Sequence, residues 1–215
     1  MSRIAYVNGR YQPLSEPAVP VEDRGLQFAD GVYEVYEVRH GRILDEERHA
    51  RRLARSLGEL RIRQPMSDFA LGAVLREVLR RNRVVDGTLY LQVNRGVAPR
   101  NHPFPPPTLR PSVVVTARGS DPAAQERRAE QGVGVVTVPE SRWTRVDIKS
   151  VSLLPNVLAK QAAREAGAWE AWFVDRDGNV TEGSSSNAWI VTADGELVTT
   201  ALSHAILPGI TRSVV

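Results

Sequence analysis

An α/β (α+β) fold in two domains is what the sequence predicts, on three observations. Apolar residues recur at helical spacing in two long segments, near 46–60 and 68–82. Short runs rich in Val, Ile, Tyr and Thr surround them, separated by Gly, Asn and Asp turn residues. Gly119-Ser120-Asp121-Pro122 then interrupts the pattern as a linker would. The expected division is a small α/β domain over 1–118, a linker over 119–123, and a larger β-rich domain over 124–215 whose C-terminal end is expected to be incomplete.

Ile4-Ala5-Tyr6-Val7 runs into Asn8-Gly9, the pair favoured by a type I′ turn, so the chain opens as a hairpin. Val32 to Val38 reads as a strand, and His40-Gly41 turns it into Arg42-Ile43-Leu44. A helix from about Glu46 to Leu60 aligns Leu53, Leu57 and Leu60 on one face. A second, from about Asp68 to Asn82, carries Leu71, Val74, Leu75, Val78 and Leu79, with Ser67 placed as its cap. Val84 to Val93 is a further strand with a bulge or turn at Asp86-Gly87. Pro99 to Pro111 holds six prolines and so no regular structure, and Ser112 to Ala117 is again strand. Beyond the linker, Gly134 to Val138 and Val146 to Val151 are expected as strands, and Pro155 to Glu165 as a helix ended near Gly167. Ala171 to Thr199 reads as a meander with turns at Asp177-Gly178 and Asp194-Gly195, and Ile210 onward as the opening of a helix.

Composition excludes several classes. Apolar residues make up 42% of the 215 and charged residues 25%, so a packed core is affordable and whole-chain disorder is not expected. The absence of cysteine removes disulfides and thiolate metal sites, and the four histidines show no metal-ligand spacing, so no metal is expected. There is no secretory pattern at the N-terminus and no apolar run of membrane-spanning length, which makes a cytoplasmic enzyme the expectation. The net charge is only +3 although the pI is near 9.6. Lysine occurs only at Lys149 and Lys160, so 28 − 2 = 26 cations are arginines, which stay charged at high pH and lift the pI without implying a basic partner. Chemistry that needs a side-chain amine therefore has two candidates.

Lys160 lies four residues before Arg164 on the helix expected there, a spacing that puts both on a solvated face. Lys149 follows Val146-Asp147-Ile148 in a strand-like stretch. Apolar surroundings would strip its hydration and free the amine to attack a carbonyl, but an edge-strand lysine that blocks aggregation is the reading the local residues favour. The wider set of motifs reverses that preference.

Six segments resolve it by resemblance: Gly31-Val32-Tyr33-Glu34-Val35, His49-Ala50-Arg51-Arg52-Leu53, Arg100-Asn101-His102, Asp147-Ile148-Lys149-Ser150, Thr181-Glu182-Gly183-Ser184-Ser185-Ser186-Asn187 and Leu207-Pro208-Gly209-Ile210-Thr211-Arg212. In this order and spacing the chain resembles the fold-type IV pyridoxal-phosphate enzymes, closely the D-amino-acid aminotransferases. The resemblance implies pyridoxal 5′-phosphate as cofactor, with Lys149 its Schiff-base lysine and the base that moves the substrate proton. It implies Glu182 as partner of the pyridine nitrogen, beside Ser186 and Asn187. It assigns Arg52 and the Gly209-Ile210-Thr211 amides to the phosphate, and Leu207 to packing on the cofactor ring. On local sequence alone, Glu182 also reads as a turn carboxylate. Arg52 reads as one of six arginines, with Arg48, Arg51, Arg55, Arg61 and Arg63, on or near a basic helix.

Arg100 and His102 narrow the substrate. A guanidinium grips a carboxylate through two parallel hydrogen bonds and a histidine can add a third, so with Tyr33 they resemble the α-carboxylate trap of the D-amino-acid enzymes. Branched-chain aminotransferases of the same fold lack the Arg-x-His pair, and a polar surface loop is the plain alternative. The implied reaction moves an amino group from a D-amino acid such as D-alanine to 2-oxoglutarate or pyruvate. The implied assembly is a homodimer in which the Arg100/His102 loop reaches the neighbouring subunit's site. Rivals within the fold are branched-chain L-aminotransferase, (R)-amine aminotransferase and aminodeoxychorismate lyase. An arginine-rich nucleic-acid module built on residues 46–63 is the rival from another class, its hallmark being steeply salt-dependent binding. Neither nucleic acid nor membrane is expected as a partner. His40 reads as a turn residue and His49 as a packing or capping one, while His204 has no assignable role.

Overall fold

Asn8 and Gly9 both take positive φ, 48° and 96°, as a type I′ turn requires, and so join β1 (Ile4–Val7) to β2 (Arg10–Pro13). The computed structural model describes residues 3–215. After this hairpin come α1 (Arg24–Phe28), β3 (Gly31–Arg39), β4 (Arg42–Ile43), α2 (Glu46–Glu59), α3 (Asp68–Asn82), β5 (Gly87–Asn94) and β6 (Ser112–Gly119). Their six strands form one sheet in the order β2-β1-β6-β5-β3-β4. The β3–β5 and β5–β6 pairs are antiparallel and continuous over eight residues each, Gly31 opposite Asn94 through Val38 opposite Gly87 in the first.

Alternation along β3 buries Val32, Glu34, Tyr36 and Val38, the set on the side of the sheet packed by α2. Leu53 and Leu57 of α2 and Leu75, Val78 and Leu79 of α3 are buried, as the helical spacing demands. Each such apolar side chain contributes roughly 1.5–3 kcal/mol by leaving water. Ser67 Oγ accepts from the Ala70 amide at 3.3 Å, the cap expected for α3. Glu34 is the exception in this row, a carboxylate at an inward position with no exposure.

The chain continues with α4 (Pro122–Gln131), β7 (Val135–Pro139), α5 (Leu154–Glu165), β8 (Glu170–Val174), β9 (Val180–Gly183), β10 (Trp189–Val191), β11 (Leu197–Thr199) and α6 (Ile210–Val214). β7 and β8 pair in parallel with α5 as their crossover, while Ala159 and Ala163 of α5 pack on Ala171 and Phe173 of β8. β9 adds antiparallel to β8, and β10 with β11 forms a separate two-stranded sheet.

Three expectations need correction. Residues Val146–Val151 are not a strand: 146–148 form a turn and bend, and Ser150 makes one isolated bridge to Val32. Their apolar character serves burial, Ile148 being 4% exposed, rather than a ladder. The linker is also shorter than its composition suggested, since Pro122 opens α4, where the missing N–H of proline costs nothing. Finally, Ala171 to Thr199 is no single meander, because β8–β9 and β10–β11 belong to different sheets.

The chain clusters as two compact units. Residues up to Pro122 form one together with Lys149–Val151, and Ala123–Ile148 with Ser152–Val215 form the other. No helix among the described residues is long and apolar enough to cross a membrane.

Candidate active site

In the first unit, Lys149 is held through its backbone. Its carbonyl accepts from the Tyr33 amide at 3.0 Å and its amide donates to Ser56 Oγ at 3.3 Å. The Val151 amide donates to the Gly31 carbonyl at 3.0 Å, so Lys149–Val151 is clipped along the N-terminal half of β3, whose other half pairs with β4. The side chain lies with Nζ 4.1 Å from the centre of the Tyr33 ring, which stacks in turn on Tyr90 at 5.8 Å. The negative face of an aromatic ring attracts the ammonium form of such an amine.

Glu34, next to Tyr33 but on the opposite face of β3, organises Arg52. Arg52 Nε donates to Glu34 Oε1 at 2.8 Å and Nη2 to Oε2 at 2.7 Å, a bidentate pair, and His49 Nδ1 lies 2.7 Å from Oε2. Burial alone would raise the Glu34 carboxyl. Hydrogen bonds from Arg52 and His49, with the charges of Arg52 and Lys149, reverse this and hold it below its ordinary value. Arg52 is thus singled out from its neighbouring arginines as the buried one, 9% exposed, oriented on one edge by Glu34. His49 takes its place in the same network and packs on Tyr36 with ring centres 4.5 Å apart.

Arg100 and His102 gather at the end of α1. The guanidinium carbon of Arg100 lies 4.8 Å from the centre of the Phe28 ring, and the His102 ring is 5.4 Å from it. Tyr33, their expected companion, is placed with Lys149.

In the second unit, Glu182 accepts from Arg142 Nη1 on Oε1, and from Asn187 Nδ2 (2.9 Å) and the Leu207 amide (3.1 Å) on Oε2. Asn187 Nδ2 also donates to the Leu207 carbonyl at 3.0 Å. A Cβ on Gly209 would meet Asn187 Oδ1 and displace that side-chain amide. Glu182, Asn187, Leu207 and Gly209 are therefore knit into one patch, and Gly209 is the N-cap of α6, whose first residues are Ile210 and Thr211. Ser186 has a different partner. Its hydroxyl donates to Glu170 Oε2 at 3.2 Å, joined there by Ser185 at 2.8 Å, while Ser184 donates to Oε1. Lys160 is less solvated than its spacing implied, with Nζ 3.5 Å from Glu170 and 5.4 Å from the centre of the Trp169 ring.

Arg142 had no signal in the sequence, being one of 26 arginines. Its side chain is 2% exposed and joins Glu182 to Glu140, where Nε meets Oε1 at 2.9 Å and Nη2 meets Oε2 at 2.6 Å. Glu34 could have been found from the sequence, as the one carboxylate in the inward row Val32-x-Glu34-x-Tyr36-x-Val38.

Asp30, Glu34, Glu140 and Glu170 share a pattern: burial pushes each carboxyl up, and arginine or hydroxyl partners pull it below its ordinary value. Groups lowered in the folded state add stability above their ordinary values, 4.5 for the glutamates and 3.8 for Asp30. That stability is lost as pH falls through the lower folded values. The melting temperature should hold from about pH 8 to about pH 5 and fall steeply below about pH 4.5. Glu34→Gln should lower the plateau and flatten the fall. A melting temperature unchanged down to about pH 3 would contradict this account.

The chemistry available is an amine on an aromatic face, a buried and oriented guanidinium, and a carboxylate fixed by three donors. Among the described residues no group of His, Asp and Glu is arranged to hold a metal ion. The amino-transferase class IV family model matches residues 31–215. The D-alanine aminotransferase of Bacillus licheniformis is 44% identical over 205 residues, covering 95% of this chain and 71% of that protein. That of Staphylococcus haemolyticus is 39% identical over 210 residues, 98% of this chain and 73% of its own length. Among solved structures, a T.th. branched-chain amino acid aminotransferase with pyridoxamine 5′-phosphate superposes with a TM-score of 0.85 at 26% identity, over 100% of this chain and 72% of that one. The Escherichia coli branched-chain enzyme gives 0.86 at 22% identity, over 100% and 73%, a likeness of fold.

Proposed function

Since the chain belongs to the class IV aminotransferase family, we propose that it moves the amino group of a D-amino acid such as D-alanine to a 2-oxo acid, 2-oxoglutarate or pyruvate. The observation that carries the reading is the setting of Lys149: one of only two lysines, fixed by its backbone to β3 with its amine over Tyr33. The D-specific part is supported by Arg100 and His102, gathered on one ring, and by the D-alanine enzymes at 39% and 44% identity.

The cofactor is pyridoxal 5′-phosphate, and the residues present fit it. Gly209 approaches Asn187 Oδ1 so closely that a side chain there would displace that amide, and the donor set holds an amine for an aldehyde, a carboxylate for a pyridinium and a guanidinium for a phosphate. Lys149, Arg52, Glu182, Leu207 and Gly209 to Thr211 would hold it, with Ser186 and Asn187 supporting. When bound, it supplies an aldehyde for the substrate amine and an electron-withdrawing ring next to the α-carbon.

The chain's own residues do the rest. Arg100, His102 and Tyr33 bind the α-carboxylate and set which face of the α-carbon is presented. Lys149 takes the α-proton from that face with its amine and delivers it one position along. Glu182, paired with Arg142, would face the ring nitrogen and favour its protonated form. Arg52 and the amides of Ile210 and Thr211 would anchor the phosphate. Water would supply the oxygen of the released 2-oxo acid, the amino group would stay with the cofactor, and a second 2-oxo acid would take it by the same steps reversed, giving that water back. The active form is a homodimer in which the Arg100/His102 loop serves the neighbouring subunit's site.

A branched-chain L-aminotransferase is the alternative, since a branched-chain amino acid aminotransferase superposes at 26% identity. Turnover of D-alanine should exceed that of L-leucine and of an (R)-amine by at least about 10-fold in kcat/KM, the discrimination expected of a site built to hydrogen-bond its substrate. Faster turnover of L-leucine would overturn the D-specific reading.

A further inference from the structure

The Pro-rich loop that carries Arg100 and His102 has no ladder of its own, and residues 100–104 are exposed. Its fixed point is α1. Arg24, 3% exposed, donates from Nη1 to the Asn101 carbonyl at 2.5 Å and from Nη2 to the His102 carbonyl at 3.3 Å. Its Nε meets Asp30 Oδ2 at 2.8 Å. Asp30 is braced in turn by Arg95, through Nε at 2.7 Å and Nη2 at 2.9 Å, and Arg95 donates to the carbonyls of Leu60 and Arg61. The loop backbone is thus tied by one buried guanidinium to the frame of the first unit.

Phe28 handles the side chains. The guanidinium carbons of Arg24 and Arg100 each lie 4.8 Å from its ring centre, and the His102 ring packs on it at 5.4 Å and 49°. A guanidinium drawn to a ring face loses rotational freedom while its N–H donors stay available for a carboxylate. A single apolar residue therefore pre-orients two carboxylate-binding groups on a loop whose start, at Val97, is itself bridged to Asp23.

We propose that Phe28 and Arg24 are positioning residues for substrate carboxylate binding: Phe28 sets the side chains of Arg100 and His102, and Arg24 fixes their backbone. This rests on reading Arg100 and His102 as the carboxylate binders. It adds to that reading a specificity element located at the C-terminal end of a five-residue helix.

Steady-state kinetics on the cofactor-loaded protein test it, with KM and kcat for D-alanine separated and cofactor absorbance recorded for each variant. Phe28→Leu should raise KM about 3- to 10-fold, leave kcat within about 2-fold and leave cofactor absorbance unchanged. Phe28→Tyr, which keeps the ring, should stay within about 2-fold of the parent. Arg24→Gln should raise KM in the same way, and serves as the test if Phe28→Leu does not fold. Arg100→Ala is the reference. If it raises KM while Phe28→Leu and Arg24→Gln do not, the positioning role is overturned and the substrate reading stands. If Arg100→Ala leaves KM unchanged, the substrate reading falls and this inference with it.

Discussion

Lys149→Ala should lower kcat for amino transfer by about 10⁴-fold or more, because one change removes both the amine that joins the cofactor and the base that moves the α-proton. The fold should survive, since the Tyr33, Ser56 and Val151 contacts that hold this segment run through its backbone atoms. Borohydride reduction of the cofactor-loaded protein followed by peptide mass spectrometry gives an independent readout. The label should fall on the peptide containing Lys149 and be absent from the alanine variant. Lys160, beside Glu170 on α5, should remain unlabelled, and Lys160→Ala should retain activity. A label on Lys160, or none at all, would overturn the assignment.

Arg142→Met should destabilise the protein by about 3–5 kcal/mol, the range for removing one partner of a buried ion pair. Most of the cost arises at Glu182, whose side chain is 6% exposed, rather than at Glu140, which at 23% retains some water. The methionine would still fill space against Phe173, where the guanidinium carbon now lies 4.3 Å from the ring centre, so loss of packing is the smaller part. Glu140→Gln should cost less, because Arg142 keeps Glu182 as partner. Urea unfolding of the three proteins checks this, and a change under about 1 kcal/mol for Arg142→Met would show that Glu182 is not held by that charge.

Local regularities were the legible part of this chain. The helical spacing of Leu53 and Leu57, the Ser67 cap and the Asn8-Gly9 turn each encode their structure within a few residues, and the elements stand where they imply. Lys149 shows the limit. Its neighbours look like a strand, but what holds it is backbone bonding to Tyr33 and the bridge from Ser150 to Val32, partners far away in the sequence. Such contacts leave no periodicity. At the linker the signals overlap: Asp121-Pro122 punctuates a break and also starts a helix well, and the Ala, Gln and Glu that follow extend the helix. Arg24, Arg95 and Arg142 were invisible because burial distinguishes them from the other arginines and spacing does not. The six motifs drew attention to residues proposed to touch cofactor and substrate, whereas Glu34, Glu140 and Glu170, which hold arginines and serines in place, lay outside the reach of that reasoning or were passed over within it.

β3 presents Tyr33 to one side of its sheet and Glu34 to the other, with the Lys149–Val151 backbone clipped along it and the amine over the Tyr33 ring. Side-chain direction in a strand repeats every two residues, so one residue inserted or deleted here would swap the two sides at a stroke. The aromatic face would turn toward α2, and the carboxylate that orients Arg52 would turn away from it. The length of this stretch is therefore fixed as firmly as the identity of its two residues. Changes in length belong instead to exposed turns such as Asp177-Gly178, which are outside the ladder itself.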